Sequence, residues 1–173
     1  MSERESMPYD VVIVGGGPAG LSAAIRLKQI NPDITVCILE KGSEIGAHIL
    51  SGAVFDPRAL DELIPFWQEE GCPMAEVPVT DNQHWIMTRG GKYSLPHLAT
   101  PAWMHNKGTF TGSLGNLCRW LATQAENLGV EIFPGFPAAE ILYNEDGSVK
   151  GVATGDMGVA HDGSQKGDYQ PGM

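Results

Sequence analysis

The first forty residues show three patterns of apolar positions in succession, in the order strand, helix, strand. Val11–Val14 is an unbroken β-branched run, typical of a parallel strand covered on both faces. Apolar residues then recur at helical spacing between about residues 19 and 30, and residues 34–39 form a second apolar run. This pattern predicts a βαβ unit, from which parallel α/β sheets are built.

The turn between the first strand and the helix contains three spaced glycines, Gly15, Gly17 and Gly20. Gly15 permits a sharp turn, Gly17 lets a diphosphate approach the backbone, and Gly20 lets the helix pack closely on the strand. Glu40 ends the second strand, where a carboxylate can accept hydrogen bonds from a ribose. Together these features predict an adenine dinucleotide ligand. An acid at this position also disfavours the 2′-phosphate of NADP.

The rest of the chain predicts two helices, further strands and an inserted region. Asp56-Pro57 begins a short helix, and Ser113 caps a longer amphipathic helix that ends near Gly129. A strand at residues 130–133 continues the parallel sheet, and residues 139–143 and 149–153 form a β-meander around an Asp-Gly turn. Residues 66–107 form an insertion with a hairpin at residues 85–95.

These patterns divide the chain into four segments. They are a βαβ nucleotide-binding unit at 8–65, the insertion at 66–107, a helix, strand and meander at 108–155, and a flexible truncated tail at 156–173. The fold class that we predict is α/β, an incomplete Rossmann-like FAD/NAD(P)-binding domain with a β-meander and an inserted hairpin region.

Composition excludes several classes of function. A formal net charge of −10 excludes a basic surface that could follow a nucleic-acid backbone. The three cysteines are scattered, which predicts buried thiols in a reducing compartment, with neither disulfides nor a metal site. The chain has no membrane-spanning run, and its short acidic leader is unlike a signal or transit peptide. We therefore expect a cytoplasmic location for the chain as written.

Four stretches resemble one family of flavoproteins. The Gly15–Gly20 turn, Glu40-Lys41 and the meander resemble the FAD domain of glutathione-reductase-like flavoproteins. More narrowly, residues 39–57, 112–121, 129–136 and 147–158 resemble the electron transfer flavoprotein–ubiquinone oxidoreductases. The resemblance implies electron transfer from reduced electron transfer flavoprotein, through FAD and a [4Fe–4S] cluster, to ubiquinone at the membrane surface.

The same resemblance implies roles for particular residues. The diphosphate would lie against Gly15, Gly17, Pro18, Ala19 and Gly20, and the adenosine ribose against Glu40. Lys41, Ser51, Gly52 and Arg119 would lie along the cofactor; from spacing alone, Arg119 is better explained by an exposed ion pair. No catalytic residue is assigned, because electron and hydride transfer belong to the flavin.

The chain departs from the family in length and in cysteine content. Three cysteines cannot supply the four ligands of a [4Fe–4S] cluster. We therefore interpret the chain as an N-terminal fragment, inactive alone, whose cluster, quinone site and membrane contacts lie in missing regions. At full length it would be peripheral on the inner membrane. The alternatives are a geranylgeranyl-reductase-like or other quinone-linked FAD dehydrogenase, a non-catalytic nucleotide-binding module, and an NAD-dependent dehydrogenase.

Overall fold

The computed structural model describes residues 5–50 and 52–173. Its α-helices there are α1 (Pro18–Ile30), α2 (Arg58–Leu63) and α3 (Leu114–Asn127), with short 3-10 turns at Pro73–Glu76, His97–Ala99 and Ala102–Met104. The strands are β1 (Val11–Val14), β2 (Val36–Glu40), β3 (Gly52–Phe55), β4 (His84–Thr88), β5 (Gly91–Leu95), β6 (Phe110–Ser113), β7 (Glu131–Pro134), β8 (Ala138–Tyr143), β9 (Val149–Thr154), β10 (Met157–Val159) and β11 (Gln165–Gln170).

The chain divides into two compact units. The first contains Met1–Ile49 and Cys118–Met173, and the second contains Leu50–Leu117. The predicted insertion at 66–107 falls within the second unit. The boundaries of the four predicted segments stay a prediction.

A three-stranded parallel sheet organises the first unit. Its order is β1-β2-β7, with Val12 opposite Cys37 and Ile38 opposite Ile132. The segment from β1 through α1 to β2 is the predicted βαβ unit, because parallel neighbours need a crossover connection. The Rossmann-like α/β fold is therefore confirmed.

Burial differs sharply between the two apolar strands of this sheet. The residues of β2 from Val36 to Leu39 are all buried, as expected for a central strand. β1 is an edge strand, and Val14 is 60% exposed. The predicted cover on both faces does not extend to Val14, whereas Val11, Val12 and Ile13 are each partly buried.

The helix α3 follows the predicted amphipathic pattern. Ser113 caps it, since its Oγ accepts a hydrogen bond from the Asn116 N–H at 3.3 Å. The predicted apolar face is mostly buried, including Leu117, Cys118, Leu121, Ala122 and Ala125. Leu128, at the end of that face, is 39% exposed.

Two antiparallel hairpins follow β7. The predicted meander is confirmed by β8 and β9, whose connecting turn contains Gly147 at φ +82° and the Asp146 carboxylate bound to Ser148. Beyond it the structure differs from the predicted tail, because β10 and β11 form a second hairpin. β10 has only three residues and β11 is mostly polar, so neither strand gave a period-two signal.

The second unit has its own apolar core around Trp67, which is 1% exposed. The indole lies edge-on to Phe110 at 5.2 Å and to Phe55 at 6.4 Å between ring centroids. These two phenylalanines belong to β3 and β6, an antiparallel pair that the sequence did not predict. The predicted hairpin is confirmed by β4 and β5, with Thr88 opposite Gly91.

Candidate dinucleotide-binding site

The glycine turn lies between β1 and α1, and each of its spaced glycines has a different environment. Gly15 has φ +104°, a conformation that favours glycine, and its N–H donates to the Leu39 carbonyl at 2.8 Å. A β-carbon on Gly20 would lie 2.1 Å from the Gly15 oxygen and 3.1 Å from Ile13 Cγ2. A β-carbon on Gly17 would meet nothing within 4 Å. The turn is therefore tightly packed on the strand side and open at Gly17.

The N-terminus of α1 favours an anion beside this open side. The helix begins at Pro18, and its first turn contains no acidic residue. The Ala19 and Gly20 amides lie in the first turn of the helix. The residues four positions before them lie outside the helix, so these amides have no intrahelical acceptor. The first such bond joins the Leu21 N–H to the Gly17 carbonyl at 3.0 Å. These amides and the helix dipole suit a diphosphate.

Glu40 connects the end of β2 to the glycine turn. One carboxylate oxygen accepts the Gly16 N–H at 2.8 Å, and the other accepts the Gly42 N–H at 2.7 Å. Burial raises the pKa of Glu40, but these two hydrogen bonds, with His48 and Lys41, lower it to a net value below its ordinary range. The group is therefore ionised at neutral pH. Each oxygen keeps a further lone pair for a ribose hydroxyl.

A shallow cavity lies beside Glu40 at the carboxyl ends of the parallel strands. Its volume is about 270 Å³, and its lining is Val14, Gly15, Leu39, Glu40, Lys41, Pro137 and Ala138. Open parallel sheets bind ligands in this position. Since sites for small molecules usually measure about 300–1,000 Å³, the cavity is the right size for part of a dinucleotide.

The remaining predicted cofactor residues lie in different settings. Arg119 forms an ion pair with Glu44 at 3.3 Å, in which the two side chains are 47% and 64% exposed. This is the setting that spacing alone favours. Gly52 lies in β3 of the second unit, where a β-carbon would lie 3.0 Å from the Gly112 oxygen. Ser51 lies outside the described residues. The cofactor roles of these residues stay predictions.

Sequence reasoning missed three residues that shape the turn: Gly16, Gly42 and Ile45. All three are buried, and a β-carbon on Gly16 would lie 2.2 Å from Ile45 Cδ1. The run of three consecutive glycines was the available signal. The motif itself requires only the first and third of them.

Other chemistry in the described residues is sparse. The three cysteines are buried and unpaired, and burial together with Glu131 raises the pKa of Cys37 to about 11. Within residues 5–50 and 52–173, no three metal-ligating side chains come together. In the same part of the chain, every helix is too short or too polar to cross a bilayer.

Comparisons with known proteins first define the class. A family model described as an NAD(P)-binding Rossmann-like domain matches residues 13–66. A geranylgeranyl bacteriochlorophyll reductase-like structure from Thermoplasma acidophilum superposes with a TM-score of 0.60 at 21% identity, covering 85% of this chain and 34% of that one. The FAD-dependent halogenase CndH superposes with 0.59 at 15% identity, covering 90% and 34%. The chain therefore has the Rossmann-like fold found in FAD-dependent enzymes.

Sequence relatives then identify the particular family. A probable electron transfer flavoprotein–ubiquinone oxidoreductase of Acinetobacter baylyi is 56% identical over 98% of this chain, and the mitochondrial enzyme of Oryza sativa is 55% identical over 98%. The predicted resemblance is confirmed: over nearly its whole length, this chain is homologous to part of the electron transfer flavoprotein–ubiquinone oxidoreductases. It spans 31% and 29% of the lengths of these two relatives.

Proposed function

We propose that this chain supplies the FAD-binding part of an oxidoreductase that passes electrons from reduced electron transfer flavoprotein to ubiquinone. One observation carries the binding role. The Glu40 carboxylate holds the Gly16 amide at 2.8 Å, beside a turn that is open at Gly17. This geometry supports a ribose contact at the carboxylate and a diphosphate contact at the neighbouring backbone amides. The proposed reaction is inferred from the names of the homologous proteins.

The residues that are present fit the adenosine diphosphate half of FAD. The turn and the start of α1 would hold the diphosphate, Glu40 would accept the ribose hydroxyls, and the cavity beside Pro137 would take the adenine side. The fixed negative charge of Glu40 would repel a 2′-phosphate, which disfavours NADP. Lys41, Ser51, Gly52 and Arg119 are proposed along the cofactor on the family resemblance alone.

The flavin, when bound, supplies the electron-transfer chemistry, and this chain supplies binding and orientation. The [4Fe–4S] cluster of the proposed reaction does not fit the cysteines present. Cys37 lies in β2, Cys118 in α3 and Cys72 in the second unit, and three thiols cannot provide four ligands. We therefore assign no step of the reaction to a cluster held by this chain.

We further propose that the chain alone is inactive and binds FAD weakly. Apolar side chains remain uncovered on the first unit, including Val14 at 60% and Ile141 at 52% exposure. We infer that further protein covers part of this apolar surface in the full-length homologues. This chain also spans only 29–32% of the homologous enzymes, which are therefore about three times as long.

The substitution Gly17→Ala tests the diphosphate role separately from stability. Gly17 has φ −80° and open space around its β-carbon position, so alanine should leave the stability of the fold unchanged. It would place a methyl group where the diphosphate approaches the backbone. We expect ADP affinity, measured by calorimetry, to fall at least about tenfold, and 2′,5′-ADP to bind more weakly than ADP to the wild type.

Gly151→Ala is the matched control, because its β-carbon position is also open and it lies in β9, away from the turn. We expect this variant to bind ADP like the wild type. Failure of the wild type to bind ADP, or equal ADP binding by both variants, contradicts the proposal.

A further inference from the structure

The segment that follows Glu40 packs against the glycine turn through one apolar side chain. Ile45 is 7% exposed, and Gly16 beside it is also buried. A β-carbon on Gly16 would lie 2.2 Å from Ile45 Cδ1, so the δ-methyl of Ile45 occupies the space that a side chain there would need. This contact joins residues that are far apart in the chain, at the middle glycine of the turn.

A polar contact restrains the same glycine. The Gly16 N–H donates to Glu40 Oε2 at 2.8 Å, while Glu40 Oε1 accepts the Gly42 N–H at 2.7 Å. A β-carbon on Gly42 would lie 3.1 Å from both Glu40 Oε1 and the Glu44 carbonyl oxygen. The residues that lead to Ile45 are thus anchored to the carboxylate that holds the turn.

We propose that Ile45 is a positioning residue for dinucleotide binding. Its δ-methyl and the Glu40 carboxylate together hold the glycine turn in its ligand-binding shape before the ligand arrives. Glycine has more backbone freedom than any other residue, so an unrestrained run of three glycines would have to be ordered on binding. Restraining the turn in advance lowers that cost. The inference rests on the proposed dinucleotide-binding function.

Ile45→Ala, with Ile25→Ala as control, tests the inference. Ile25 is 0% exposed in α1, so both variants lose the same buried group. Hydrogen exchange of the Gly16 amide, relative to the Ile38 amide in β2, reports local opening of the turn. We expect Ile45→Ala to raise this ratio about tenfold and to weaken ADP binding about three- to tenfold, while Ile25→Ala changes neither.

Rescue by a methyl exchange separates positioning from general packing. Ile45→Val removes the δ-methyl, which makes room for the methyl of Gly16→Ala. We expect Gly16→Ala alone to raise the exchange ratio about tenfold. The double variant Gly16→Ala/Ile45→Val should bring the ratio most of the way back to its wild-type value, because the total volume is conserved.

Either of two results with the single variants would overturn the inference: an unchanged exchange ratio in Ile45→Ala, or equal effects of Ile45→Ala and Ile25→Ala. Strictly additive effects in the double variant would also contradict it. A wild-type protein that does not bind ADP would contradict the proposed function instead, and the exchange measurements would still decide whether Ile45 restrains the turn.

Discussion

Replacing Glu40 by glutamine removes a charge and also one of the two acceptors that hold the glycine turn. The two oxygens of Glu40 accept separate amides, the Gly16 N–H at 2.8 Å and the Gly42 N–H at 2.7 Å. Glutamine has one acceptor oxygen and a donating NH₂ group. Whichever way its amide is turned, one backbone N–H faces another donor. The substitution therefore cannot preserve both contacts.

The expected loss of stability follows from these contacts. A hydrogen bond to a charged group contributes about 1.5–3 kcal/mol. Glu40 is half-buried, so water can partly replace the lost acceptor. Losing one charge-assisted bond and weakening the other should lower the free energy of unfolding by about 2 kcal/mol at neutral pH.

The pKa of Glu40 gives this prediction a pH dependence. Burial raises that pKa, but the bonds from Gly42 and Gly16, with His48 and Lys41, bring it below its ordinary value of 4.5. A carboxyl with a lowered folded-state pKa stabilises the fold fully above its unfolded-state pKa. Its contribution is lost as the pH falls through the folded-state pKa. The difference between wild type and Glu40→Gln should therefore shrink once the pH falls below 4.5.

Urea unfolding followed by far-ultraviolet circular dichroism measures the difference at about pH 7 and about pH 3.5. Glu126→Gln is the control, because Glu126 is an exposed carboxylate on α3. We expect that variant to stay close to the wild type at neutral pH. The reasoning is refuted if Glu40→Gln is as stable as the wild type at neutral pH, or if its deficit is the same at both values.

Two further predictions concern the same unit. Gly20→Ala should destabilise the fold by about 3 kcal/mol or more in urea unfolding. Its methyl group would lie 2.1 Å from the Gly15 oxygen, which belongs to the backbone and cannot move aside as a flexible side chain could. Alanine normally stabilises a helix interior relative to glycine by about 1 kcal/mol, so a gain in stability would contradict the close approach. Purified chain loaded with FAD should lose its yellow flavin on gel filtration, and retention of one flavin per chain would show that weak binding is the wrong expectation.

Much of the candidate site could be predicted because its parts are close together in the sequence. Gly15, Gly17 and Gly20 fall within six residues, and the conformation of such a turn depends mainly on local backbone freedom. The helix that follows and the buried β2 run before Glu40 also carry local periodicities. The positions of these elements around the turn agree with the sequence prediction.

The parts that were missed depend on contacts between distant residues. The pairing of β3 with β6 joins two four-residue strands separated by more than fifty residues, and neither has a clear alternating pattern. The tail hairpin pairs β10, which is only three residues long, with β11, which is mostly polar. The 60% exposure of Val14 depends on which other elements pack over the end of β1, which the composition of the strand does not encode.

The sequence by itself predicted a ligand class and the individual parts of the candidate site, because glycine freedom, helix polarity and an acid after a strand are local properties. Only the tertiary structure decided how those parts are held together. Ile45 fills the space beside Gly16, and one carboxylate joins Gly16 to Gly42, because folding brings the end of β2 against the turn after β1. Packing and hydrogen bonding act between residues that are close in space, so the spacing of residues along the chain does not predict these contacts.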